Sequence, residues 1–160
     1  MTSDREQLEQ LIRRGHTCIA VRSFEERYVL DLIRAIAVDQ QRPVWLWTIS
    51  QGLIDGLIAG GRTLFGTDKP INALSHLVEL RDRSIAVMLD LAPHLQDPAV
   101  LRGLRTTLLR IESTGLKLVL LDHSEALPSV IAAETTPFAV SLPDETELEH
   151  IVRDVLRRRN

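Results

Sequence analysis

Acidic residues and one histidine stand at the ends of apolar runs that have the composition of buried strands. Asp90 ends one run, Asp122 and His123 close another, and Glu25 and Glu26 follow an earlier one. In open parallel sheets, ligands bind beyond the carboxyl ends of the strands, so these side chains are predicted to face one groove. Four carboxylates around one groove could hold a cation. The candidate groove residues are therefore Glu25, Glu26, Asp90, Asp122 and His123.

The turn after the first predicted strand lacks the residues that bind nucleotide phosphates. A phosphate-binding loop has the spacing G-x-x-x-x-G-K-[ST], in which backbone amides and a lysine surround the phosphates. Residues 22–26 read Arg-Ser-Phe-Glu-Glu, without glycine or lysine. Glu25 and Glu26 occupy the first turn of the next helix, where their charge complements the helix dipole and would repel an anion. We therefore predict no catalytic residue, no metal and no cofactor.

Asp90 occupies the position of the magnesium-directing acid of a nucleotide hydrolase. Leu91, however, stands where a second, catalytic acid is commonly found. A simpler interpretation, which we favour, is that Asp90 caps the following loop. The five histidines show no metal-ligand spacing, although His94 and His123 could approach each other at the ends of neighbouring strands.

The elements that position these residues alternate as strands and helices. Strands are predicted at residues 17–21, 43–49, 84–90, 117–122 and 137–141. Helix starts are predicted at the capping boxes Ser3-x-x-Glu6, Ser23-x-x-Glu26 and Asp144-x-x-Glu147, and at Asp97-Pro98. This alternation predicts an α/β fold with a mostly parallel five-stranded sheet and helices on both faces.

Residues 51–68 form the least regular segment of the sequence. Glycines at 52, 56, 60, 61 and 66 each weaken a helix by up to about 1 kcal/mol relative to alanine, so we expect a frayed helix and a mobile loop. The apolar residues of the segment either contact a partner or cover the protein's own sheet, and both interpretations stay open.

Length and composition are those of one ordinary globular domain, with 160 residues, 44% apolar residues and a formal charge of −3. This charge does not favour nucleic acid. The longest apolar stretches fall far short of the roughly 20 residues that cross a bilayer, and the polar N-terminus lacks a secretory signal. We expect a cytoplasmic protein in which Cys18 is a buried structural thiol.

Four stretches carry a family resemblance: IAVRSFEER at 19–27, VWLWTISQG at 44–52, LDLAPHLQDPAVLRGLR at 89–105 and SLPDE at 141–145. In order and spacing they resemble the N-terminal domain of the Ycf-type AAA ATPases of cyanobacteria and algal plastids, with bacterial relatives. The resemblance spans roughly residues 5–150. It implies a degenerate nucleotide-hydrolase (P-loop NTPase-like, AAA/RecA-like) fold with the sheet order 5-1-4-3-2.

In that family a complete AAA module with its own phosphate loop follows the N-terminal domain, and residues 1–160 are expected to hold only the single α/β domain. The resemblance implies a non-catalytic accessory or regulatory domain. Its expected partner is the AAA module of the same or a related chain, or another protein, with no nucleic acid and no membrane. The alternative is a small ligand- or cation-binding domain, or an enzyme, that uses the acidic groove.

Overall fold

The computed structural model describes residues 2–123, 126–141 and 145–159. Its helices are α1 (Asp4–Arg13), α2 (Glu26–Gln40), α3 (Pro70–Leu80), α4 (Pro98–Ile111), α5 (Ser129–Ala132) and α6 (Glu145–Arg158), with a short 3-10 helix at Ala92–Gln96. Its strands are β1 (Cys18–Arg22), β2 (Val44–Thr48), β3 (Gly52–Asp55), β4 (Ile85–Leu89), β5 (Lys117–Asp122) and β6 (Thr136–Phe138). No helix in these ranges is long and apolar enough to span a membrane.

The sheet has six strands in the order β3-β2-β4-β5-β1-β6. All neighbouring strands are parallel except β2 and β3. The sheet has one strand more than the five predicted, so its full order differs from the predicted 5-1-4-3-2. The five predicted strands correspond to β1, β2, β4, β5 and β6, and they lie in the predicted order relative to one another. The additional strand is β3, a short antiparallel strand that continues the sheet beyond β2.

Side chains from the sheet divide between two cores, one on each face. Alternate residues of a strand point to opposite faces, so Val87 and Val119 pack with α1 and α2, whereas Met88 and Leu120 pack with α3 and α4. Both central strands, β4 and β5, are buried along their whole length. This arrangement confirms the predicted three-layer α/β architecture.

Two of the predicted helix starts are confirmed. The Ser3 hydroxyl accepts the Glu6 amide at 3.2 Å while the Glu6 carboxylate accepts the Ser3 amide at 3.1 Å, and these two bonds form a complete capping box. The Asp97 carboxylate accepts the Ala99 amide at 2.9 Å at the start of α4. The predicted cap Asp144 lies outside the described residues.

The capping box predicted at Ser23 is wrong. Helix α2 begins at Glu26, with Glu25 as the residue before it, and no side chain caps this end. The Ser23 amide instead donates to the carbonyl of Asp122 at 2.9 Å, which holds residue 23 in the extension of the sheet. Ser23 therefore lies two residues before the N-cap position of α2, and its hydroxyl accepts the amide of Glu25 rather than an amide of the first helical turn.

The segment 51–68 is anchored to the sheet and contains strand β3 rather than a helix, so the predicted frayed helix is wrong. Strand β3 pairs with β2, and Leu53 is fully buried. The buried side chain of Thr67 accepts the Leu53 amide at 2.9 Å, and its carbonyl accepts the Trp47 indole N–H at 2.8 Å. These bonds join both ends of the segment to the core.

Two glycines in this segment allow close packing. A Cβ atom at Gly52, where φ is +73°, would lie 2.7 Å from the Thr67 hydroxyl, and one at Gly56 would lie 2.5 Å from a methyl group of Val44. The apolar residues of the segment differ in their burial. Leu53 belongs to the protein's own core, whereas Phe65 is fully exposed.

Alanine substitution at two glycines separates steric contact from backbone conformation. Gly60 also has a positive φ, +71°, but a Cβ there would meet nothing within 4 Å. We expect Gly60→Ala to lower the free energy of unfolding by about 1 kcal/mol, because only the left-handed backbone is penalised. Gly52→Ala should lower it by about 3 kcal/mol, because it adds a clash with Thr67. Urea denaturation measures both, and equal losses would contradict the packing described here.

The only cysteine, Cys18, is buried between β5 and β6, at the start of β1. Burial, with a smaller contribution from the charge of Glu134, raises the pKa of its thiol to about 12. The thiolate is the reactive form, so against the ordinary value of 9.0 the folded protein holds about a thousandfold less of it at pH 8. Burial and protonation both make this thiol unreactive.

We expect iodoacetamide at pH 8 to alkylate Cys18 rapidly in denaturant and very slowly in the folded protein. The matched control is Ser50→Cys in a Cys18→Ala background, because Ser50 is exposed and a cysteine there should react in the folded state. Mass spectrometry of the alkylated protein measures both rates. Equal rates for the two cysteines in folded protein would disprove the burial of Cys18.

Candidate functional site

A pocket of about 280 Å³ lies at the carboxyl edge of the sheet, where β1, β4 and β5 end. Glu26, Asp90, Asp122 and His123 line it, together with Ser23, Phe24, Leu89 and Leu121. The structure thus brings four of the five predicted groove residues together. Glu25 is exposed and is not part of the pocket lining.

Asp90 leaves β4 with a left-handed backbone, with φ at 57°. Its amide donates to the carbonyl of Leu121 at 3.0 Å, and its carboxylate lies 3.1 Å from Nδ1 of His123. Aspartate is one of the few non-glycine residues that tolerate this conformation. More than half of each side chain in the Asp90–His123 pair is exposed, so solvent screens their attraction.

Asp122 is the buried carboxylate of the pocket, with 6% of its surface exposed. Its Oδ1 accepts the amide of Ala92 at 3.1 Å, at the start of the 3-10 helix. The loop after β4 is therefore held by Asp122, from the neighbouring strand. The sequence analysis favoured Asp90 for this capping role, and in the described contacts Asp90 binds His123 instead.

The turn from β1 to α2 uses two of its own amides internally. The Ser23 amide donates to the Asp122 carbonyl, and the Glu25 amide donates to the Ser23 hydroxyl at 3.0 Å. In a phosphate-binding loop, amides of this turn point at the ligand. Here those at residues 23 and 25 are already hydrogen-bonded, and Glu26 adds a negative charge at the helix start.

Phe24 lines the pocket although it was not among the candidate groove residues. Its ring lies 5.9 Å from the ring of His123, and 83% of the residue is exposed. The only sequence signal was an aromatic residue placed in an otherwise polar turn. The other candidate histidine is His94, whose ring centroid lies 5.8 Å from that of Trp47 in a T-shaped arrangement. The two histidines therefore have different partners.

The arrangement offers little to a metal ion. Within residues 2–123, 126–141 and 145–159, no group of three or more histidine, cysteine or acidic side chains is placed to hold one. Asp122 directs one carboxylate oxygen to Ala92, and Asp90 directs one of its own to His123. The exposed residues Glu26, Asp90 and His123 form an acidic pocket wall that solvent can reach.

A mostly parallel sheet between two helical layers, with its polar residues at the carboxyl edge, defines the three-layer α/β class to which AAA proteins belong. A family model described as the SpoVK-like AAA ATPase N-terminal domain matches residues 4–158. The chain belongs to this family. The resemblance to AAA ATPase N-terminal domains is therefore confirmed, whereas its narrower Ycf-type form stays a prediction.

Two solved structures share the fold. A chain of the E. coli MS115-1 HORMA:CdnC:Trip13 complex aligns with a TM-score of 0.58 and 12% identity, over 94% of this chain and 56% of that one. A DNA replication initiation factor aligns with a TM-score of 0.61 and 7% identity, over 96% of this chain and 49% of that one. The chain thus spans about half the length of each. No curated protein sequence matches it.

The two aspartates should differ in their effect on stability. We expect Asp122→Ala to lower the free energy of unfolding by about 2 kcal/mol, because it leaves the Ala92 amide without its acceptor. Asp122→Asn keeps an acceptor oxygen and should cost less. The control is Asp90→Asn, which removes an exposed charge and tolerates the left-handed backbone, so a change below about 0.5 kcal/mol is expected. Thermal or urea unfolding measures all three, and a larger loss at Asp90 would reverse the assignment.

Proposed function

We propose that this domain is a non-catalytic accessory domain of an AAA-type ATPase that serves protein contacts or regulation. Its partner is the AAA module of the same or a related chain, or another protein. Family membership supports the connection to AAA ATPases. The Ycf-type relationship, carried by the four stretches quoted above, and a cytoplasmic location are parts of the same proposal.

The observation that carries the proposal is the turn between β1 and α2. Nucleotide hydrolases bind phosphate at this turn through free amides and a lysine. Here the Ser23 and Glu25 amides are bonded within the protein, and residues 22–26 contain no lysine. Glu26 stands in the first turn of α2, where a phosphate would otherwise gain from the helix dipole. The turn therefore favours a degenerate site over a working one.

Exposed apolar side chains support a role in protein contacts. Ile58 and Phe65 lie on the segment that follows β3 and are 64% and 104% exposed. The base of the loop that carries them is held by the β-bridge between Ile54 and Thr63 and by the hydrogen bonds to Thr67. A loop of this kind, held at its base with apolar residues outward, is suited to recognition.

A second candidate function is the binding of a small ligand or cation in the acidic pocket. The observation that favours it is that Glu26, Asp90 and His123 line one pocket at the edge where α/β proteins usually bind ligands. One observation counts against this candidate. The buried carboxylate of Asp122 accepts the Ala92 amide, so that oxygen is not available to a ligand.

Nucleotide and metal titrations separate the two candidates. A ligand at 100 times its dissociation constant adds about 2.7 kcal/mol to the free energy of unfolding. We expect no thermal shift with millimolar Mg²⁺, Mn²⁺, ATP or ADP, and no ATP hydrolysis above background by residues 1–160 or by their Asp90→Asn variant. Magnesium-dependent hydrolysis that disappears in Asp90→Asn would refute the non-catalytic assignment. A metal shift without hydrolysis, lost in the same variant, would favour the second candidate.

A further inference from the structure

The outer surface of α3 and α4 carries a continuous groove. Two hollows of about 690 Å³ and 400 Å³ lie along the two helices and share Val78 and Arg110 in their linings. We call this feature the α3–α4 groove and define it by Ile71, Val78, Arg81, Arg102, Leu109 and Arg110. It lies on an outer helical surface, away from the pocket formed by Asp90 and His123.

The groove exposes apolar surface over a definite length. Leu109 is 67% exposed and Ile71 is 40% exposed, while Val78 between the helices is half-buried. Helix α3 has 11 residues, so the groove extends over about 16 Å, or three helical turns. Apolar side chains held open along such a length match one face of a short amphipathic helix.

The charges of the groove are positive and unpaired. Arg81, Arg102 and Arg110 line it, against the single acid Glu79. Within the described ranges, none of these three arginine side chains takes part in an ion pair or hydrogen bond. The chain as a whole carries a formal charge of −3, so this local excess runs against its net charge.

Three of the four arginines within α1 and α2, on the opposite helical layer, have ion-pair partners among the described residues, and Arg27 is the exception. On α1 and α2, Arg5 pairs with Asp39, Arg13 with Glu9 at 2.9 Å and Arg34 with Asp31 at 3.4 Å. Most arginines of the α1–α2 layer thus have a carboxylate partner, whereas none of the three groove arginines has one among the described residues. The groove arginines are therefore free to pair with carboxylates of a bound partner.

The helix dipole accounts for only part of this pattern. Arg110 lies in the last turn of α4, where a cation is favourable. Arg102 lies near the beginning of the same helix, where the dipole offers a cation nothing. The dipole therefore does not account for Arg102, and a bound partner would give a role to both Arg102 and the exposed Leu109.

We infer that the α3–α4 groove binds an acidic amphipathic helix of a partner protein, about three turns long. Its apolar face covers Leu109, Ile71 and Val78, and its carboxylates pair with Arg102 and Arg110. A nucleic acid matches the charge of the groove, but its unpaired bases bind by stacking on aromatic side chains, and none of the residues that define the groove is aromatic. The inference rests on the proposed function and deepens it, because it names the class of partner and the surface that binds it.

The experiment selects 16-residue peptides from a random display library on immobilised residues 1–160. We expect enriched peptides to carry several acidic residues and apolar residues every three or four positions. Amide hydrogen exchange with the best peptide should show new protection in α3 and α4. Fluorescence anisotropy then measures its affinity for each variant and the fall of that affinity with added salt.

Leu109→Asp and Arg102→Glu should each weaken peptide binding about tenfold, because one removes an apolar contact and the other a charge pair. Matched controls on the opposite layer are Val38→Asp and Arg27→Glu, which change an exposed apolar residue and an exposed cation of α2. They should leave the affinity unchanged. Circular dichroism spectra and thermal unfolding establish that all four variants remain folded. Arg110→Gln is a milder variant, because it removes a second groove charge without reversing it.

Several results would overturn the inference. They are failure to enrich any peptide, enrichment of neutral or basic peptides, protection outside α3 and α4, and binding that survives both groove variants. The inference would also be overturned if a 20-nucleotide single strand bound with the same affinity as the best peptide and protected the same residues. The partner would then be a nucleic acid rather than a protein. If the peptides bind elsewhere on the domain, the inference about the α3–α4 groove is refuted, while the proposed accessory function is not. If residues 1–160 hydrolyse ATP, the proposed non-catalytic accessory function is refuted, while peptide binding to the groove is a separate result that this does not affect.

Discussion

The pairing of β4 with β5 is the interaction on which the other layers depend. Every residue of both strands is buried, and Val87 lies opposite Val119 in a parallel register. Because alternate side chains point to opposite faces, such a pair needs a helical layer on each side. The start of β5 shows the cost of this burial, since removal from water and the nearby charge of Arg42 lower the pKa of Lys117.

The same strand pair determines the carboxyl edge of the sheet. Asp122 is still buried where β5 ends, and it holds the Ala92 amide beyond β4. Asp90 leaves β4 with a left-handed backbone and meets His123 at the surface. Adjacent acids at one edge therefore have different environments. The edge satisfies many of its own polar groups, a property consistent with an accessory domain.

The two helical layers differ in their outer surfaces. The arginines Arg5, Arg13 and Arg34 of the α1–α2 layer have carboxylate partners. The α3–α4 layer keeps Arg102 beside the exposed Leu109. Each layer covers its face of the sheet with buried apolar side chains, and the fold does not require this difference between their outer surfaces. A surface requirement of another kind, such as the binding of a partner, gives it a reason.

The sequence by itself determined the class of fold, because apolar runs, the Ser3 capping box and the Asp97 cap are local signals that tertiary structure did not override. It also brought four of the five groove residues to one edge, since parallel strands end together. Only the tertiary structure decided the role of residues 51–68. A glycine at 52 reads as a helix breaker in the sequence, whereas its actual reason is the Thr67 hydroxyl 2.7 Å from where a Cβ would lie. Likewise, the partners of Asp122 and Ser23 come from other strands and loops. Contacts between distant parts of the chain leave no periodic or capping pattern, and for that reason the sequence could not show them.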